Sequence, residues 1–296
     1  MADILLAHMM AQRLDAIPTP SGTAVRLLEL AVDPEATPAQ FAAVVGTDPG
    51  LALQVLRDSN SPERRDVPAQ ELERAILASK REFLVRLAYT TCTPEGEGSE
   101  AERDHDSGMT ALRRHSYAVA EAAAEIARRT DSTSPGIAFT AGLLACLGEL
   151  ALAPLKPDRA RLLRKRVEGL PEEHLTQLET EIFGADHDQM AAALAEAWDL
   201  AIDLREMLAF VDRSAGEIDR ECPRQGQELV ACVRAARASA MRAGYPAHAG
   251  LRPASMPEDV ERILEEVDAD ALVQHVHQSS DRAAEHARPR NNDPEA

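Results

Sequence analysis

Aromatic residues are scarce in this chain: five Phe, three Tyr and one Trp make up 3% of its 296 residues. Binding a single nucleic-acid strand by base stacking needs a platform of such rings, so that class is disfavoured at the outset. Cysteine is also sparse. Cys92, Cys146, Cys222 and Cys232 show no C-x-x-C spacing and no companion histidines at zinc-finger distance, and they read as reduced thiols of a cytoplasmic protein. Basic residues are outnumbered, with 32 Lys and Arg against 50 Asp and Glu and a formal net charge of −18. That balance argues against a broad phosphate-binding face and against nucleic acid as a partner. Also missing are a basic leader before the apolar patch at 4–7 and any run near the roughly 18 apolar residues of a membrane span. No membrane association is expected. A Gly-rich phosphate loop, a G-x-S-x-G elbow and an H-E-x-x-H pair are absent as well.

What is present is helical punctuation. Thr37-Pro38-Ala39-Gln40 is a capping-box start with proline at the first helical position, and Asp48-Pro49 opens the next helix. Apolar spacing continues through Leu72, Ala75 and Ile76, then Phe83, Leu84 and Leu87. Residues 94–106 hold Pro94, two glycines and many acids, and read as a linker. Beyond it, helices are expected at 109–129, 137–155, 158–168, 186–198, 204–213, 225–243 and 257–276. The expected organisation is all-α: a two-lobed helical bundle with lobes at 14–93 and 107–215, a C-terminal helical extension at 216–277, and a disordered tail at 278–296. The basic run from Lys156 to Arg166 reads as a solvated helix face, with a docking patch for an acidic partner as the alternative.

Five landmarks recur in a fixed order. They are Leu14 to Pro20 with its paired prolines, the Asp48-Pro49-Gly50-Leu51 step leading to Asn60-Ser61, and Leu112-Arg113-Arg114-His115-Ser116. Then come Phe139 to Leu152, and Gly184-Ala185-Asp186-His187 followed by Trp198-Asp199-Leu200. This pattern resembles the HDOD (HD-related output domain) family, a degenerate relative of HD-type metal-dependent phosphohydrolases, over residues 14–213. Several landmarks have roles that need no family. Asp48 and Asp186 suit helix N-caps, where a carboxylate takes an orphan N–H and meets the positive helix end. As a cap alone, Asp48 is worth about 0.5–2 kcal/mol. Asn60 suits a helix stop, since it tolerates the left-handed conformation. Ser79-Lys80 stands where the family has a Leu-Gly step, which puts that turn in doubt.

The departures from the pattern carry the functional expectation. The resemblance implies a His-Asp doublet after Gly142-Leu143-Leu144, but Ala145-Cys146 stands there; it implies His-His twelve residues after Trp198, but Phe210-Val211 stands there. Alanine offers no lone pair, and a thiol is a soft donor where phosphoryl chemistry uses hard ones. Only His115 and His187 match the metal-facing positions, fewer than the three ligands a hydrolytic site needs. Asp186, Asp188 and Asp212 could fill in, but none has a His at helical ligand spacing beyond its own neighbour, and Asp186 is needed as a cap. The two histidines are expected to line one shared, vestigial pocket with Ala145, Cys146, Phe210 and Val211, and to hold no metal and no cofactor. The expected function is a non-catalytic regulatory module of bacterial type that binds a signalling protein. The alternative is an effector whose emptied pocket takes a nucleotide or other small molecule near Arg113 or Arg114. An active phosphohydrolase is the third reading.

Overall fold

In the computed structural model, residues 2–61, 69–91, 100–252 and 256–288 are described. Helix starts follow the caps written in the sequence. After α1 (Ala2–Ala11) and α2 (Ser21–Val32), α3 (Pro38–Val45) opens with the Gln40 N–H donating to Thr37 Oγ1 at 3.3 Å. The Gln40 side chain in turn accepts from the Thr37 N–H at 2.8 Å. α4 (Pro49–Ser59) opens on Asp48, whose Oδ1 accepts from the Leu51 N–H at 2.8 Å. α5 (Leu72–Ala78) and α6 (Arg81–Thr91) meet at Ser79-Lys80, and the turn closes with the Ser79 hydroxyl donating to the Ala75 carbonyl at 2.8 Å.

The second half comprises α7 (Glu100–Thr130), α8 (Pro135–Leu144), α9 (Leu147–Leu155), α10 (Pro157–Arg166), α11 (Leu175–Phe183), α12 (His187–Ala197) and α13 (Ile202–Phe210). After it come α14 (Ala215–Glu221), α15 (Arg224–Arg242), α16 (Glu258–Glu266) and α17 (Ala269–His286). The fold is all-α: among the described residues there is no strand, only an isolated parallel bridge between Pro171 and Arg252. Long α7 is the axis, against which α8, α15 and α17 pack, while α12 is held between α1 and α9. One apolar cluster runs from Ala7 on α1 to Val276 on α17, so both halves and the C-terminal helices share a core.

Several expectations need correction. The linker at 94–106 is helical from Glu100 onward, because an acid-rich stretch is as good a helix start as it is a loop; its earlier part lies outside the described residues. The continuous helix at 137–155 is broken at Ala145-Cys146, where the Ala145 N–H reaches back three residues to Gly142 at 3.2 Å instead of four. The span Pro135–Leu155 is long and apolar enough for a membrane, with mean hydropathy 1.8, contrary to expectation, but 83% of its most apolar window is buried against the protein's own helices.

The helix at 257–276 is two helices parted at Asp268, which takes φ 58°. The tail is ordered as far as His286, since Ser279 and Ala283 lie in the core face of α17; residues 289–296 are outside the described set. Helices α1, α11 and α14 had no sequence expectation.

Asn60 is not left-handed (φ −89°); it ends α4 by cross-linking, with Nδ2 donating to the Asp199 carbonyl at 3.2 Å and Oδ1 accepting from the Ala69 N–H at 2.7 Å. The left-handed residue is its partner Asp199, at φ 52°. Much of the basic run is spent internally: Lys156 donates to the Phe183 carbonyl at 2.7 Å, Arg159 donates to that of Ile182, and Arg166 pairs with Glu181 at 2.7 Å.

Candidate functional site

The site forms where α7, α9, α11, α12 and the end of α13 converge. Asp186 caps α12 by accepting from the Gln189 N–H at 2.8 Å, which sets His187 as the first helical residue. Glu179 on α11 then fixes His187 twice. One carboxylate oxygen accepts from the His187 backbone N–H at 3.0 Å and also from its Nδ1. The other ring nitrogen, Nε2, points to Asp212 Oδ2 at 3.5 Å and Asp188 Oδ1 at 3.6 Å. Asp212 Oδ1 in turn meets Arg237 Nη1, brought by α15, at 2.5 Å.

His115 on α7 is buried, and its Nδ1 donates to the Tyr245 carbonyl at 2.5 Å, which leaves a buried Nε2 lone pair with no partner. Asp212 acts on both histidines, and His115 also feels the Arg237 charge, so the two rings share one buried charged neighbourhood. Ala145 and Cys146 are buried in the same interior, with Cys146 feeling Glu149, Arg237, Asp212 and His187.

Phe210 is a correction: it turns away to pack on Ile218, Cys222 and Val230, in a separate small cluster. Val211 sits in the main core, and the residue that α13 delivers to the site is Asp212, just past the expected doublet. Arg113 and Arg114 are corrected too. Arg113 is buried against Asp48, Nε to Oδ2 at 2.9 Å, and donates to the Pro18 carbonyl; Arg114 is exposed and lies over the Tyr245 ring at 5.3 Å.

Burial and charge set the protonation states. Burial lowers the His115 pKa to about 4, against the pull of its Tyr245 hydrogen bond. Burial opposes charge on His187 as well, but Glu179, Glu149 and Asp212 outweigh it and raise its pKa well above the usual range. Asp188 is raised to about 7 by burial and by repulsion from Asp212 and Asp186. Asp212 is buried too, yet Arg237 and His187 hold it below the ordinary carboxylate range. Burial and Glu149 push the Cys146 thiol far above its ordinary value, so it is a neutral core thiol with no nucleophilic character.

A cavity of about 170 Å³ adjoins this cluster. Its walls are apolar, with Leu112, Leu152, Leu163 and Phe183 among them, and its polar members are Glu149, Glu179, Arg164 and His248. His248 comes from the segment after α15, which is tied down where the Gly169 N–H donates to the Gly250 carbonyl at 2.8 Å.

Sequence reasoning missed Glu149, Glu179, Arg237 and His248. Two of these carried a signal. Glu149 is the single charge between Ile137 and Leu155, and Glu179 falls on the apolar spacing Leu175, Leu178, Ile182. Arg237 is one of several arginines on its helix and gave none.

The resemblance to HD-type phosphohydrolases implies a metal at these positions, and the residues present do not fit a resident ion. Ala145, Phe210 and Val211 supply no donor, the two histidines offer only their Nε2 atoms, and Asp212 is already neutralised by Arg237. Among the described residues, His187, Asp188 and Asp212 are the one group close enough to share an ion.

His115 makes a testable contribution. Its folded pKa lies below the unfolded value of 6.5, so its share of stability is fully present above that pH and is lost as pH falls from 6.5 toward 4. The stability difference between the wild type and His115→Gln is therefore expected to shrink by about 3 kcal/mol over that window. Denaturant melts at several pH values check this; a difference that stays flat refutes it.

A family profile for the HDOD domain matches residues 17–214. Among solved structures, the response regulator MmoQ from Methylococcus capsulatus str. Bath superposes with a TM-score of 0.67 at 25% identity, over 88% of this chain and 98% of that one. A virulence factor from Campylobacter jejuni subsp. jejuni superposes with a TM-score of 0.61 at 13% identity, over 97% and 98% of the two chains, a likeness of fold alone. No curated protein matches the chain.

Proposed function

Since the chain belongs to the HDOD domain family, we propose that it is a cytoplasmic regulatory module that acts by binding a signalling protein, without hydrolytic chemistry at its former metal site. The observation that carries this reading is the state of the HD-type positions. One doublet is Ala145-Cys146, both buried, and the other is Phe210-Val211, one turned away and one in the core. Phosphoryl transfer depends on concentrated positive charge and on a positioned water, and the donors that would gather an ion here are missing or engaged. The family and the likeness to a response regulator fit a regulatory role.

The cavity beside Glu179 favours a second reading, an effector that binds a small molecule. Its largely apolar lining, with Glu149, Glu179, Arg164 and His248 as the polar members, suits a compound with an apolar body and few polar groups.

Purified protein is expected to show no phosphatase or phosphodiesterase activity with added manganese, iron or zinc, and to hold no stoichiometric metal after dialysis. One equivalent of metal together with turnover sinks the main reading. A thermal-shift screen separates the second reading, because a specific ligand raises the melting temperature by an amount that grows with the logarithm of its concentration over its Kd. Capture from the native host with the full chain as bait, followed by a reconstituted binding assay, names the partner.

A further inference from the structure

We propose that Arg237 is a built-in cation standing in for a metal, and that it masks a latent divalent-ion site made of His187, Asp188 and Asp212. The ligating atoms of these three lie within 4.8 Å of one another. The His187 Nε2 separations of 3.5 Å from Asp212 and 3.6 Å from Asp188 are close to the spacing of neighbouring donors around a four-coordinate ion. Two carboxylates and an imidazole are a donor set that zinc and manganese both accept.

What closes the site is the use made of Asp212. Oδ2 faces His187 while Oδ1 holds the Arg237 guanidinium at 2.5 Å, with only 15% and 23% of the two side chains exposed. A guanidinium that close satisfies the carboxylate and repels a second cation sharing it, and the pair is shielded enough that water screens the repulsion poorly.

The placement of Arg237 is a property of α15. Val233, Ala236 and Ala240 on that helix are buried, α15 packs along α7 and α13, and Arg237 is thereby directed at the end of α13. α15 lies beyond the residues that the family profile matches. The C-terminal extension thus completes the site of the core.

This inference rests on the metal-free reading of the site and not on the partner reading. The test compares wild type, Arg237→Ala, Arg237→Lys and the double variant Arg237→Ala/Asp212→Asn. Each is dialysed against zinc or manganese, analysed for metal and melted with and without chelator. The expected result is that Arg237→Ala melts below the wild type in chelator, takes up about one ion per chain, and regains at least half of the lost melting temperature with it. Wild type and Arg237→Lys take up none and do not shift, and the double variant takes up none. A folded Arg237→Ala that binds no ion overturns the inference alone, as does its failure to fold even with metal present. Wild type binding an ion as tightly as Arg237→Ala overturns both this inference and the metal-free reading.

Discussion

Replacing Asp48 by alanine is expected to cost about 3–5 kcal/mol, well beyond the value of a helix cap. The carboxylate caps α4 through Oδ1 and pairs with Arg113 through Oδ2 at 2.9 Å, with 1% of the Asp48 side chain and 10% of the Arg113 side chain exposed. Removing the acid strands a guanidinium in the interior, where a lone charge is far worse than a pair. Asp48→Asn keeps the cap oxygen and loses the charge, so it should fall between wild type and alanine. The double variant Asp48→Ala/Arg113→Met should recover part of the loss, because it removes the stranded charge. Urea melts decide the matter: a cost near 1 kcal/mol for Asp48→Ala, with no recovery in the double variant, would show the pair to be dispensable and Asp48 to be a cap only.

Gly148→Ala is expected to be nearly as damaging, at about 3 kcal/mol. A Cβ at Gly148 would land on the His187 carbonyl oxygen, with the carbonyl carbon at 2.6 Å and Cα at 2.8 Å. All of these are backbone atoms with no rotamer to yield. α9 would have to lift off α12, taking Glu149 away from His187 and opening the core around Cys146. Gly216→Ala is the matched control: nothing lies within 4 Å of its Cβ position, and it sits in the first turn of α14, so it should be neutral or slightly stabilising. Equal melting temperatures for Gly148→Ala and the wild type would mean that α9 and α12 are not packed as closely as described.

Much of the architecture was legible. Capping residues are local: Thr37 with Gln40, Asp48 with Leu51 and Asp186 with Gln189 act within three residues of each other, so the sequence alone shows where α3, α4 and α12 begin. Helix stops were read less well. The breaks at Ala145-Cys146 and at Asp268 come after good helix formers, and at Asp268 a left-handed φ ends what composition would continue. The site was half legible. His115 and His187 follow from the motif, and the missing doublets follow from Ala145-Cys146 and Phe210-Val211. Asp188 and Asp212 stood in the sequence only as possible fill-in ligands, and it is packing that brings both to His187 Nε2.

The all-α class, the replacement of two ligand doublets by Ala145-Cys146 and Phe210-Val211, and the acidic, aromatic-poor composition were all set by residue type and near-neighbour spacing, which is why they could be read along the chain. The partners of the buried charges could not. Asp48 and Arg113 are 65 residues apart, Asn60 and Asp199 are 139 apart, and Asp212 and Arg237 are joined only because α15 packs beside α13. In each case a residue that looks like a local cap, a helix stop or one arginine among several is committed to a distant partner. A charge leaves water at tolerable cost only where the fold supplies its counter-charge, and that meeting exists only once the helices have packed.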